Sequence, residues 1–196
     1  SYLSLTAVER IFAANGLVLI DVQELPTHGG SLRVFAARAD TAAHLHRTDD
    51  GAAYVQQLLA AESAAGMLRA DFYGNLQLQS LRVKRELLSF LLQCQASGIT
   101  VGAYGAAAKG STLLNFAGVR SDLLPYVVDK NPAKQGQYLP GSRIPIVDEA
   151  HLRADRPDVV IILPWNLKDE VMAQLAYIRE WDGKFVVAVP SLVVQS

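Results

Sequence analysis

The chain has little of several things, and each scarcity removes a class of function. It carries one cysteine, Cys94, in 196 residues. An internal disulfide is therefore excluded, and so is a thiolate metal cluster. Set in Leu91-Leu92-Gln93-Cys94, within a helical pattern, Cys94 reads as a small half-buried apolar residue. The formal net charge is −1, with no lysine- or arginine-rich block, which offers no field for nucleic acid or an anionic membrane surface. No apolar run approaches the roughly 20 residues that span a bilayer, and no signal peptide is evident. A cytoplasmic, non-membrane protein is expected. No Ser/His/Asp set, paired-carboxylate site or metal-spaced cluster appears either.

What the chain does have is apolar mass: 51% of its residues are hydrophobic, enough for a large domain with a smaller attached piece. It starts at Ser1-Tyr2-Leu3-Ser4 without a methionine, and is expected to be part of something longer. Ser4 to Gly16 reads as a short helix, capped by Ser4 or Thr6 and stopped at Asn15-Gly16. Two strand-like runs, Leu17 to Leu25 and Ser31 to Ala37, flank Pro26-Thr27-His28-Gly29-Gly30 and predict an antiparallel hairpin. With so few elements, residues 1–38 read as the tail end of another α/β domain.

Residues 39–50 are polar and read as a linker. A helix from about Gly51 to Met67 follows, then a longer one from about Phe72 to Ser97 with a wide leucine-rich face. Beyond Gly98 the period changes. Ile99 to Tyr104, Leu124 to Val128, Val159 to Leu163 and Phe185 to Val189 are short β-branched runs. Helical or loop stretches (Lys109 to Ala117, Val147 to Ala154, Lys168 to Trp181) separate them. Alternating strands and helices predict a Rossmann-like parallel sheet of about four or five strands with flanking helices over residues 51–196.

The stretch Val101 to Thr112 carries the strongest chemical signal. An apolar run ends in a glycine turn that opens into a helix, so bare N–H groups and a helix N-terminus face a phosphate. The spacing Gly102-x-x-Gly105 departs from the dinucleotide fingerprint, and Lys109 precedes Gly110, against the P-loop order. The uncluttered Gly105-Ala106-Ala107 backbone still suits a pyrophosphate. Lys109 adds a charge-assisted contact, and Ser111 and Thr112 offer hydroxyls.

About two dozen residues on, Asp129 ends the next apolar run, where an acidic residue meets a ribose hydroxyl. It also suits a turn before Asn131-Pro132, and the sequence leaves both roles open. Lys130 and Lys134 flank it, available to phosphate or solvent. Pro164-Trp165-Asn166 lies at the carboxyl end of a predicted parallel strand, where open α/β sheets place ligands. Asn166 also suits the N-cap of the following helix. Tyr138, central in the polar loop from Gln135 to Gly141, suits closure over a base or sugar.

Taken together, Gly102 to Gly110, Val128 to Gly136, Leu139-Pro140-Gly141 and Leu163 to Asn166 with Glu170 resemble the C-terminal domain of nucleotide-sugar C-methyltransferases. Ser1 to Leu5 and His28 to Arg33 resemble the last segment of that family's S-adenosylmethionine-dependent domain. The resemblance implies a parent enzyme with a zinc-binding domain, a central S-adenosylmethionine domain and this C-terminal piece. Its reaction would remove a proton beside the ketone of a dTDP-linked hexose, and the enolate would attack the sulfonium methyl.

The nucleoside-diphosphate sugar would be held by Tyr104, Gly105, Ala106, Ala107, Lys109, Gly110, Ser111, Thr112, Asp129, Lys130, Tyr138, Pro164, Trp165 and Asn166. His28 would lie towards the sugar. The zinc cysteines, the S-adenosylmethionine glycine motif and the family's catalytic histidine are absent from these residues. The fragment alone is therefore expected to be inactive and to bind neither cofactor, its partners being the substrate and the missing domains. Without the resemblance, two readings compete: an NAD(P)-binding oxidoreductase domain and a ligand-free structural module.

Overall fold

A computed structural model describes residues 3–41 and 49–195, with the side chains of His28 and Asp49 excepted. The chain divides into two compact units, Ser1–Leu76 and Gln77–Ser196.

The first unit holds α1 (Leu5–Ala14), β1 (Leu17–Leu25), β2 (Ser31–Arg38) and α2 (Asp49–Ala64). Ser4 caps α1 by accepting the Ala7 N–H at 3.2 Å, while Thr6, the other expected cap, serves elsewhere. β1 and β2 pair antiparallel from Leu17↔Arg38 to Leu25↔Ser31, with a bulge between Leu19 and Asp21. A 3-10 turn at Thr27–Gly29 joins them. Leu5, Leu19, Val22 and Val55 form the buried centre, so both helices pack on one side of the hairpin. α2 begins at Asp49, inside the stretch read as a linker; residues 42–48 of that stretch lie outside the described residues. The carboxylate of Glu62 on α2 reaches the start of α1, accepting from Leu5 N at 2.7 Å and from Thr6 N at 2.8 Å. It also takes the Thr6 hydroxyl at 2.6 Å.

The second unit is a six-stranded sheet between two layers of helices. Its strands are β3 (Val101–Tyr104), β4 (Val127–Val128), β5 (Ile146–Val147), β6 (Val159–Ile162), β7 (Lys184–Val187) and β8 (Val193–Gln195). They lie in the order β5-β4-β3-β6-β7-β8, all parallel except β8, which runs antiparallel to β7. The sheet thus exceeds the expected size, because β5 and β8 are too short to show as periodic runs. Alternate strand residues face opposite layers. Ala103, Val127 and Ile161 meet Leu87, Leu91 and Cys94 of α3 (Leu76–Ala96) and Leu113 and Leu114 of α4 (Ala108–Ala117). Tyr104, Val128 and Ile162 meet Leu152 of α5 (Glu149–Asp155) and Val171 of α6 (Lys168–Gln174).

Several boundaries differ from expectation for local reasons. Gly74 and Asn75 are poor helix formers, so Phe72 sits in a separate 3-10 turn and α3 starts at Leu76. Not every leucine of α3 lies on its apolar face: Leu92 is exposed, whereas Cys94 is buried. Burial pushes the Cys94 thiol up, helped by the charge of Asp158, so it behaves as an apolar residue. The run at Leu124 yields only Val127–Val128, since Pro125 has no N–H to give a ladder. The stretch Lys168 to Trp181 divides into α6 and a 3-10 helix at Ala176–Trp181. Among the described residues, no helix is long and apolar enough to cross a membrane.

Candidate functional site

The chain passes from β3 to β4 and β5 on one side, then returns to β6 on the other side of β3. The carboxyl ends of β3 and β6 therefore flank the point where the winding reverses, the place where open α/β sheets form a ligand crevice. The glycine turn emerges there.

Each glycine of the turn region answers to a neighbour. A Cβ on Gly102 would fall 2.8 Å from the Tyr126 hydroxyl, and one on Gly110 would fall 2.8 Å from Leu163 Cβ. Gly110 thus lets α4 press onto β6. Gly105 has φ +95, and a Cβ there would fall 2.5 Å from Pro164 Cδ. The space over Gly105 is filled by Pro164, so the turn's open face lies farther along, at the start of α4.

Behind that start the backbone is tied to β4. Gly105 N–H donates to Val128 O at 2.7 Å, and Ala106 N–H donates to Asp129 Oδ2 at 2.8 Å. Lys134 Nζ donates to Ala106 O at 2.9 Å and to Asp129 Oδ2 at 3.0 Å. Asp129 Oδ1 accepts from Asn131 N at 2.9 Å, and the Asp129 carbonyl accepts from Gln135 Nε2 at 2.9 Å. Both carboxylate oxygens are thereby engaged within the chain. The sequence left Asp129 between ribose contact and turn former; its observed contacts are those of a turn former.

In front, Ala107 precedes α4 and no side chain caps the helix, so its first-turn amides face outward from the helix start. Lys109 Nζ stands beside them, donating to Asn166 Oδ1 at 3.3 Å and lying 5.7 Å from the centre of the Trp165 ring. Pro164, Trp165, Asn166, Lys109, Ala107 and Ser111 are all partly exposed here. The arrangement can hold an anion between a helix N-terminus and an ammonium, with an indole edge and an amide alongside.

Residues 26–190 match the family described as "C-methyltransferase C-terminal domain". The chain belongs to that family. It is 34% identical over 190 residues to "C-methyltransferase NovU" of Streptomyces niveus, a match covering 97% of this chain and 44% of that protein. It therefore spans less than half the length of that relative.

Within this C-methyltransferase C-terminal domain the remaining residues singled out from sequence fall in different places. Tyr104 is buried under α6, where its hydroxyl accepts from Gln174 Nε2 at 2.7 Å; Gln174 also donates to Glu149 Oε2 at 3.1 Å. Burial raises the Tyr104 pKa above the usual phenol range, with the charges of Glu149 and Asp129 adding to it against the Gln174 bond. Thr112 donates its hydroxyl to Ala108 O at 3.0 Å. Asn166 does not cap α6: it sits in a 3-10 turn, Trp165–Leu167, and Leu167 takes the cap position. Lys130 is exposed on the β4 side. Tyr138 is 65% exposed and forms an isolated antiparallel bridge with Pro145. The side chain of His28 lies outside the described residues.

Sequence reasoning missed the double role of Lys134 and the contact of Pro164 with Gly105. No local signal carries either one. A recess of about 320 Å³ lies elsewhere, at the amino ends of the strands, lined in part by Thr100, Val101, Pro125 and Tyr126. Its polar groups serve the fold: Tyr126 donates its hydroxyl to Asp155 at 2.7 Å, and the His151 ring meets it edge-on at 4.6 Å.

Proposed function

We propose that this domain is the nucleotide-sugar-binding part of an S-adenosylmethionine-dependent sugar C-methyltransferase. The parent enzyme methylates a carbon next to the keto group of a dTDP-linked hexose and works in the cytoplasm. Family membership supports the reaction class; the sugar and the nucleotide are our reading of the site.

The observation that carries it is the start of α4 at the winding reversal, uncapped and with Lys109 beside Trp165 and Asn166. A diphosphate fits a helix N-terminus with an ammonium at its side. In this reading Ala107 to Ser111 hold the phosphates and the nucleoside lies against Trp165 and Asn166, with the exposed Tyr138 available to cover it. Asp129 and Lys134 support the turn from behind. The domain's contribution to rate is positional: it fixes one end of the substrate so that the sugar reaches the reacting centre.

Zinc and S-adenosylmethionine belong, in this proposal, to other parts of the parent protein. Among the described residues the one cysteine is buried and no group of three His, Cys, Asp or Glu converges, so the donors described do not fit zinc. No residue of this chain is assigned to either group.

Calorimetry of the 196-residue chain against dTDP and against NAD tests the reading. Saturable heat with dTDP and none with NAD is expected. Saturable NAD binding with no dTDP heat overturns it in favour of a dinucleotide domain.

A further inference from the structure

Where a strand-end carboxylate binds the ribose of a dinucleotide, it accepts the 2′-hydroxyl and so must keep acceptor positions open. Asp129 occupies that strand end, but its oxygens already carry three hydrogen bonds. Asn131 N–H takes Oδ1, while Ala106 N–H and the Lys134 ammonium share Oδ2. The side chains of Asp129 and Lys134 are 12% and 39% exposed, so the carboxylate is the sheltered partner. Lys134 also grips Ala106 O, so both polar atoms of one peptide-bearing residue in the glycine turn are tied to the end of β4. With Gly105 N–H on Val128 O, three successive ties close the gap between β3 and β4.

We infer that Asp129 and Lys134 are a positioning and specificity pair: they fix the glycine turn and shut the β4 side of the crevice. The site then admits a single nucleoside diphosphate and rejects a dinucleotide. This rests on the nucleotide-binding reading above and deepens it.

The physical argument is one of displacement. One acceptor position remains on Asp129, at Oδ1, so a ribose diol placing both hydroxyls there must displace at least one charge-assisted bond, worth about 1.5–3 kcal/mol. Displacement at Oδ2 would leave the Ala106 N–H without its acceptor. A ligand bound from the Lys109 and Trp165 side disturbs none of these bonds. It gains instead from a turn that is already fixed before binding.

Two measurements on the 196-residue chain decide the matter. The first is amide exchange at Ala106, which reads the pair whether or not nucleotide binds. Lys134→Met should speed that exchange at least roughly tenfold, the loss expected for one charge-assisted tie, and Lys134→Arg should largely restore it. The second is calorimetry: dTDP affinity should fall roughly tenfold in Lys134→Met, recover in Lys134→Arg, and NAD should not saturate in either.

Unchanged Ala106 exchange in Lys134→Met overturns the inference. So does faster exchange with unchanged dTDP affinity. NAD binding that Asp129→Asn abolishes also overturns it, since the carboxylate would then be a ribose ligand. Absence of dTDP heat from the unsubstituted chain instead sinks the nucleotide-sugar reading, and the exchange arm still decides whether the pair fixes the turn.

Discussion

Gly105 and Pro164 meet where β3 and β6 end, so closely that a Cβ on residue 105 would lie 2.5 Å from Pro164 Cδ. A strand turn at φ +95 and a proline ring thus share the space at the winding reversal. The glycine's smallness serves the protein's own packing, and the ligand is left the helix start beyond it.

Gly105→Ala should therefore cost more than backbone strain alone. A positive φ at a residue with a Cβ costs about 1–3 kcal/mol, and overpacking against Pro164 adds about 1–3 kcal/mol. Gly118 isolates the first part, because its φ is +80 and nothing lies within 4 Å of its Cβ position. Urea unfolding followed by Trp165 and Trp181, both in the second unit, should show Gly105→Ala destabilised well beyond Gly118→Ala. Equal losses would mean that Pro164 yields at no cost.

At Gly110 two effects oppose each other. Alanine in a helix gains about 1 kcal/mol over glycine. Its methyl would lie 2.8 Å from the buried Leu163 Cβ, just past the end of β6, and overpacking of that kind costs about 1–3 kcal/mol. Gly110→Ala is expected to be net destabilising in the same urea assay. In a Leu163→Gly background the Cβ that it would meet is gone, and the same substitution should become neutral or stabilising relative to that background. A stabilising effect in the unsubstituted chain would show that α4 can lift off β6.

How much of this was legible beforehand depended on whether the cause was local. β3, β6 and β7 announce themselves as β-branched runs, and the hairpin by Gly29-Gly30 between two such runs. β5 is two residues between Pro145 and Asp148, too short to have a period. Asn166 has the chemistry of an N-cap, yet Pro164 directs the chain into a 3-10 turn and moves the cap to Leu167. The ties of Asp129 to Ala106, 23 residues away, and of Glu62 to Leu5, 57 away, follow only from the packed elements.

Glu62 gives a pH prediction. The carboxylate is 8% exposed and accepts three hydrogen bonds at the start of α1. Burial pushes its pKa up, but the Thr6 hydroxyl and the Thr6 and Leu5 amides outweigh that and hold it below the ordinary 4.5. A lowered folded pKa means that the stabilisation is fully present above the unfolded value and is lost as pH falls through the folded one. Protection of the Leu5 and Thr6 amides should therefore be flat above about pH 5 and decline in acid below 4.5. Glu62→Gln should remove that decline and lower protection at neutral pH by about 1–3 kcal/mol, the cost of exchanging charged for neutral acceptors. An acid profile unchanged by Glu62→Gln would assign the transition to another group.

Lys109 separates a ligand role from a structural one. Its contacts within the chain include a 3.3 Å bond to Asn166 and a place over Trp165, on a partly exposed side chain. Exposed interactions of this kind contribute within about 1 kcal/mol, so Lys109→Ala should barely shift the urea midpoint. A diphosphate at the start of α4 would lose a charge-assisted contact worth about 1.5–3 kcal/mol, so dTDP affinity should fall roughly tenfold or more. Affinity in Lys109→Ala should also depend less on salt, because one screened attraction is gone. Lys109→Arg keeps the charge and should retain most of the affinity, while Asn166→Ala, which removes one neutral acceptor and leaves the ammonium's charge in place, should cost far less. Undiminished dTDP binding in Lys109→Ala would move the phosphates away from the first turn of α4, and the glycine turn would then be a packing device alone.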